Sequence, residues 1–276
     1  MYPEKIAVVD GERRYSYAEL AQRSWRLANA LRSAGLRKGD RVATLLFNSS
    51  PMLEAHFGVP AAGGILVAVN NRLASPEVGQ ILEHSGARFL LLDAELEPLV
   101  APLAPSGLTV MSTAMTPKIS TRASSPPRPP TCPRAGSSTR RRPSRSTTPR
   151  APRDNRRACS TPIAARMIVA GMSPESVYLW TLPMFHCNGW CFPWAVTAVA
   201  ATHVALRSVD PERVWQLIDE QGVTHYSGAP TVQQMVINHP RAHRLERQVT
   251  AMVAASPPSP TSPLSSDRAM NKLWNA

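Results

Sequence analysis

Three apolar runs constrain this chain more than any other feature: RVATLLF from Arg41, ILVAV from Ile65 and ARFLLLD from Ala87, each preceded by a segment with helix signals. A strand that is apolar at consecutive positions is buried on both faces, and strands separated by single helices are joined by right-handed crossovers. The expectation is an α/β fold, a mainly parallel sheet flanked by helices. The helices carry their own punctuation. SYAELAQRSWRLANALRSAG sets Ser16 and Glu19 at capping-box spacing, aligns Leu20, Leu27 and Leu31 on one face and stops at Gly35. SPMLEAHFGVPAAGG opens with Ser50 as the expected cap and Pro51 in the first turn, and SPEVGQILEHSG from Ser75 repeats that opening.

The same logic resumes at Val177 with VYLWTLP, a Gly- and Trp-rich helical stretch, THVALR, the helix DPERVWQLIDEQG capped by Asp210, then THYSGAP, TVQQMVINHP and VTAMVAAS. What separates the two halves is unlike either. Residues 90–177 contain no Phe, Trp or Tyr, and residues 121–166 hold nine prolines and twelve arginines against a single acid, Asp154. Without large apolar groups to offset ordering entropy, such a tract is expected to be disordered. The expected organisation is therefore 1–103 as the first part of an α/β domain, 104–166 as a disordered Arg/Pro/Ser-rich tract, 167–260 as the second part of the domain, and 261–276 as an aberrant tail.

Charge follows the same division. The tract carries a net +11 of the chain's +12, so the folded parts are nearly neutral, and no specific nucleic-acid partner is expected for them. Four cysteines make no disulfide framework in 276 residues, and residues 1–9 lack the basic and apolar regions of a signal peptide, which points to the cytoplasm. The longest apolar runs, near 59–69 and 194–206, are broken by glycines or by His203 and fall short of the ~20 residues of a membrane span.

Several segments resemble one family. YSYAEL, AAGGILVAVNNRLASPEVGQILEHSGARFLLLD, LPMFHCNGW, HYSGAPTV and VAASPPSP are similar, in order, to signatures of the acyl-CoA synthetases, the fatty-acid–CoA ligase type of the adenylate-forming AMP-binding superfamily. The resemblance covers residues 2 to about 103 and about 167 to 261, and its most specific element is Pro-x-Phe-His-x-x-Gly from Pro183 to Gly189. It implies part of the N-terminal large domain of such an enzyme, a carboxylic-acid substrate, and ATP, CoA and Mg2+ as cofactors. It also implies that His186 lies near the nucleotide and the thiol tunnel, that Trp190, Gly228, Ala229, Pro230 and Thr231 border the acyl site, and that Ala255, Ser256 and Pro257 line the adenine pocket. No catalytic residue and no metal ligand is carried over.

Each of these positions also has a plainer reading. An isolated histidine such as His186 among apolar residues is a common core group, Trp190 and Trp194 suit core packing, and Gly228 to Thr231 suit a strand-to-helix turn with Thr231 near the cap. Ala255 to Pro257 end a strand, which is where open α/β sheets hold ligands. Cys187 and Cys191 beside His186 lack the second ligand pair of a structural zinc site, so packing is expected there.

The family's phosphate cradle is a Ser/Thr/Gly-rich loop ending in Pro-Lys-Gly, whose backbone N–H groups, hydroxyls and lysine hold the ATP phosphates. It belongs between the two recognisable halves, where this chain has TPRAPRDNRR at residues 148–157. Degenerate codons for those ten residues, read one nucleotide earlier, can spell TSGTTGQPKG, and from that last glycine the frame continues as GVLYTHRGA. Arg150 as CGG before Ala151 yields GGC for glycine, and Arg156 as CGA before Arg157 as AGG yields AAG for lysine. The tract thus reads as a displaced frame entered near Val110 and left near Met167.

The Tyr-Gly-x-Thr-Glu motif, the ribose-binding aspartate and the C-terminal domain with its adenylation lysine are likewise expected to be missing from a chain that ends at Ala276. The resemblance implies a ligase by descent that is inactive as written. Two other readings stand beside it: a non-enzymatic remnant, and an RNA- or anion-binding protein acting through the arginine tract. The tract would attract phosphates, although it has no aromatic residue on which a base would stack. The nucleotide sequence tests the frame: read one base earlier through the codons for residues 148–157, it should encode TSGTTGQPKG, and a single incompatible codon overturns the reading.

Overall fold

The computed structural model describes residues 2–103, 107–113, 171–186, 189 and 191–253. The chain begins with a hairpin, β1 (Ile6–Asp10) and β2 (Arg13–Ser16), and continues through α1 (Tyr17–Ser33), β3 (Arg41–Leu45), α2 (Ser50–Ala62), β4 (Ile65–Ala68), α3 (Ser75–Ser85), β5 (Ala87–Leu92), α4 (Glu97–Val100) and β6 (Thr109–Ser112). The second half contributes β7 (Val177–Leu179), α5 (Phe192–Ala198), β8 (Thr202–Val204), α6 (Pro211–Gln221), β9 (His225–Gly228), α7 (Pro230–Ile237) and β10 (Thr250–Val253).

The strands form two sheets, ordered β10-β9-β7-β8-β1-β2 and β4-β3-β5-β6. Every described pairing is parallel except that of β1 with β2. The period of two along each strand explains how the layers stack. Val8 joins the core cluster that holds Leu20, Ala28 and Leu31 of α1 and Met52, Leu53 and Val59 of α2, while its neighbour Val9 faces Val214, Trp215 and Ile218 of α6 on the other side. In the second sheet Phe89 and Leu91 face the α1–α2 layer, and Leu90 and Leu92 face Val78 and Leu82 of α3. The two sheets therefore share one inner layer of helices, and each has its own outer cover. Met172, Tyr178 and Trp180 lie in the same inner cluster as Leu20, Leu31 and Phe89, so residues from both halves of the chain build one core.

The structure departs from the sequence expectations at four places. The hairpin β1–β2 turns at Gly11-Glu12, with Gly11 at φ +63°, and it joins the sheet of the second half rather than that of β3. Two sheets form instead of one. The cap of α2 is Ser49, without a side-chain cap bond, because the Ser50 backbone N–H and Oγ both donate to Asp10 Oδ2, at 3.0 and 2.7 Å. Finally, β6 pairs along β5 from Thr109 to Ser112, so the unstructured tract expected from residue 104 cannot begin there. Its core, residues 121–166, and the tail, residues 261–276, lie outside the described residues. The Ser16 and Asp210 caps form as expected, the former as a full capping box with Glu19.

Two histidines are buried in the shared layer. Trp180 Nε1 donates to His203 Nδ1 at 3.1 Å, which leaves the ring proton on Nε2, 2.9 Å from Thr197 Oγ1. His56 packs edge-on to Trp194 at 5.2 Å, with Nδ1 2.7 Å from the Met52 carbonyl. Burial lowers the pKa of His56 to about 4, and burial followed by the like charge of His56 lowers His203 to about 3. Both values lie below the ordinary histidine value of 6.5, so the unfolded chain binds protons that the folded chain refuses, and stability present above pH 6.5 is lost as the pH falls toward 4. The melting temperature should therefore decline across that window. His203→Gln, which keeps an acceptor for Trp180 and a donor for Thr197, should flatten the decline.

Candidate functional site

Parallel strands end on one side of a sheet, and backbone groups beyond those ends have no ladder partner, so ligands collect there. β7, β9 and β10 are neighbours in that order, with Leu179 opposite Tyr226 and Val253 opposite Gly228. The segments that follow them are 180–189, 229–231 and 254 onward. Three of the motifs singled out in the sequence thus leave adjacent strands on the same edge.

A lattice of buried polar side chains holds these ends together. Tyr178 OH donates to Ser227 Oγ at 3.0 Å, and Thr181 Oγ1 donates to the Ser227 carbonyl at 2.6 Å, tying β7 to β9. Tyr226 OH donates to Gln233 Oε1 at 2.6 Å, and Gln233 Nε2 donates to the Met252 carbonyl at 3.2 Å, tying β9 and β10 to α7. Burial raises the pKa of both phenols, so they remain neutral donors.

His186 is exposed, in a turn where its N–H donates to the Pro183 carbonyl and its own carbonyl accepts from Gly189 N–H. It is not a core histidine. Gly189 has φ +56°, and a Cβ there would stand 3.0 Å from the Trp180 ring, so glycine three residues after the histidine is required twice, by its backbone and by the indole it covers. Gly228 is buried at the end of β9, Ala229 is the N-cap of α7, Pro230 is its first residue and Thr231 is exposed in its first turn. These four form the strand-to-helix turn and stand next to the His186 segment. Cys191 is buried at the N-cap of α5, while Trp190, Cys187, Ala255, Ser256 and Pro257 lie outside the described residues.

Residues that the sequence did not single out connect this edge to the second sheet. Asn48, between β3 and α2, donates through Nδ2 to the Trp180 and Leu182 carbonyls, both at 2.9 Å, and accepts from Met184 N–H at 2.8 Å. Arg207, beyond β8, contacts Asp93 at 3.3 Å and Glu95 at 2.9 Å, both beyond β5, and lies over the Phe47 ring. The carboxyl ends of both sheets therefore face the same side. An apolar cavity of about 300 Å³ lined by Tyr17, Leu20, Trp25, Phe57 and Thr197 lies elsewhere, between α1, α2 and α5.

The two lysines among the described residues, Lys5 and Lys38, precede β1 and β3 and so sit at the opposite, amino-terminal edge. Lys5 is committed there to the Pro174 and Ala200 carbonyls. Arg207 is committed to its two carboxylates. Among the described residues the edge thus supplies turns held in place by buried hydrogen bonds. It supplies no lysine for a triphosphate, and no group of three or more His, Cys, Asp or Glu side chains that could hold a metal ion. No helix of the described residues is long and apolar enough to cross a membrane.

The family described as AMP-binding enzyme matches residues 1–155 and 155–272. Curated relatives include a peroxisomal acetate/butyrate–CoA ligase of Arabidopsis thaliana, 30% identical over 294 residues, covering 95% of this chain and 52% of the relative. A long-chain-fatty-acid–CoA ligase of Thermus thermophilus is 35% identical over 238 residues, covering 79% of this chain and 43% of the relative. The chain spans about half the length of the curated relatives it matches. Among solved structures, the N-terminal domain of FACL13 from Mycobacterium tuberculosis superposes with a TM-score of 0.71 at 21% identity, covering 87% of this chain and 62% of that one. ATP-bound MatB from Rhodopseudomonas palustris gives 0.67 at 20% identity, covering 88% and 50%.

The Gly189 turn yields a graded test. Gly11 also has positive φ, +63°, but nothing lies within 4 Å of a Cβ built there. In urea unfolding, Gly11→Ala should cost about 1 kcal/mol, the penalty of a left-handed backbone alone. Gly189→Ala should cost more, about 2–3 kcal/mol, because Trp180 must move as well. Equal losses would show that the indole does not constrain the turn.

Proposed function

The chain belongs to the AMP-binding enzyme family, and on that premise we propose that its edge of β7, β9 and β10 is the acyl and adenine side of an acid–CoA ligase whose phosphate side is lost. The reaction of such a ligase joins a fatty or related carboxylic acid to CoA. A carboxylate oxygen attacks the α-phosphorus of ATP and pyrophosphate leaves; the CoA thiolate then attacks the acyl carbon and AMP leaves. The observation that carries the reading is the placement of His186 and of Gly228 to Thr231 beyond adjacent parallel strands, joined by Thr181 and Ser227. In this assignment Gly228, Ala229, Pro230, Thr231 and Trp190 border the acyl chain. Ala255, Ser256 and Pro257 follow β10 at the adenine, and His186 stands near the nucleotide and the thiol path.

The same reading makes residues 1–103 and 167–260 parts of one domain, supported by the core that Leu20, Phe89, Tyr178 and Trp180 share. Its low cysteine content suits a reducing compartment, and we assign it to the cytoplasm. Magnesium would supply charge neutralisation to the phosphates when bound, but the described residues do not fit it, and residues 148–157 as encoded offer arginines and prolines where a lysine-bearing glycine loop is needed. Losing one preorganised donor at a site of developing charge costs about 3 kcal/mol, and here the cradle is lost as a unit.

The chain as written should therefore release no pyrophosphate from ATP with acetate, butyrate, long-chain or aryl acids. A version restored in frame and extended to the length of its relatives should do so with at least one of them. Turnover by the chain as written overturns the proposed defect, and silence of the restored chain overturns the ligase assignment.

A further inference from the structure

We propose that Asn48 is the positioning residue of this site: its side-chain amide, anchored at the start of α2, fixes the segment that carries His186. β7 ends at Leu179, so the backbone from Trp180 to Met184 leaves the ladder while still buried, and its polar groups need partners from elsewhere. Asn48 provides them for three groups at once. Its two N–H bonds go to the Trp180 and Leu182 carbonyls and its oxygen accepts from Met184 N–H, at 2.8 to 2.9 Å. This amide orientation satisfies all three; the flipped one would set oxygen against two carbonyls and a donor against a donor. Asn48 is only 9% exposed, so a lost partner would not be replaced freely by water.

The amide is itself held. Ser50, two residues on, gives its N–H and Oγ to the buried carboxylate of Asp10, and Ser49 Oγ donates to the Phe47 carbonyl. The path runs from β1 through the start of α2 to the strand-end segment, and the last link, Met184, is two residues before His186. The backbone N–H of Trp180 is occupied by the Val204 carbonyl, and its ring by Gly189 and His203, so the segment is pinned on three sides with Asn48 forming the one toward the second sheet.

The functional meaning of this clamp rests on the ligase reading, so two measurements separate them. The first is amide hydrogen exchange in the full chain, comparing Asn48→Ala with Leu217→Ala, a core truncation on the far face of the first sheet. Asn48→Ala should speed exchange at residues 180–186 by about tenfold to a hundredfold relative to residues 225–228, the range expected when buried backbone partners are lost. Leu217→Ala should not change that ratio. An unchanged ratio in Asn48→Ala overturns the clamp.

The second is the affinity for butyryl-sulfamoyladenosine, an unreactive mimic of an acyl-adenylate that needs no triphosphate cradle. Asn48→Ala and His186→Ala should each weaken it about tenfold, and the double variant no more than the worse single, because Asn48 acts through His186. Additive losses overturn the positioning role. A parent chain that does not bind the mimic refutes the ligase reading, while the exchange ratio still decides the clamp.

Discussion

The molecule depends on one shared layer. Helices α1 and α2 are covered by the first sheet on one side and by the second on the other, so neither sheet completes its inner face without them. This is why a short strand such as β7, three residues long, holds its place: Tyr178 and Trp180 enter the inner cluster while Leu179 enters the outer one. Burying a large apolar side chain stabilises by about 2–3 kcal/mol, several times the net gain of a hydrogen bond. Packing fixes the layers, and the polar contacts then fix how the strand ends sit within them.

Those polar contacts concentrate where the two sheets meet at their carboxyl ends. Asp10, Asn48 and the Asp93–Arg207 pair each join elements that packing alone would leave free to slide along one another. They differ in what they specify. The Arg207 pair is partly solvated and screened, so its contribution is small and tolerant of geometry. The Asn48 amide is buried and directional, which makes the His186 segment accurate rather than merely attached. The polar chain from Tyr178 through Ser227 and from Tyr226 through Gln233 to Met252 does the same under the turns of β9 and β10.

How much of this was legible depended on the range of the interaction. The strands from Arg41, Ile65 and Ala87 and the capped helices α1 and α6 were readable because their signals are local: consecutive apolar residues, Ser16 with Glu19, Asp210 before a helix. The hairpin β1–β2 carried a local sign too, a glycine at the first position of its loop Gly11-Glu12, that the alternation of long elements obscured. Two sheets in place of one were not legible, because sheet membership is decided by pairing: Val8 beside His203, across 195 residues, leaves no trace in either segment. At the site, the motif around His186 was visible as a string, but Asn48 reads as an ordinary turn residue in NSSP until Trp180 and Met184 are brought to it. Strand β6 was missed because composition, not pattern, drew the boundary of the arginine tract.

The scaffold and the proposed chemistry make different physical demands. The layers need only apolar faces in register, which both halves of the chain supply, and the edge of β7 and β9 follows from the layers without help from residues 121–166. Stabilising a leaving pyrophosphate needs positive charge at one point of that edge, and charge cannot be borrowed from elsewhere in the fold. Lys5 and Lys38 lie at the starts of five-residue strands, about 17 Å from the carboxyl ends. That separation exceeds the ~10 Å over which exposed charges interact at 0.1 M salt. Nor does a surplus of arginine in the sequence substitute by quantity: a cradle acts through preorganised N–H groups and a fixed lysine, not through total charge. A net charge of +11 on residues 121–166 is therefore no measure of the preorganised charge that the proposed reaction needs.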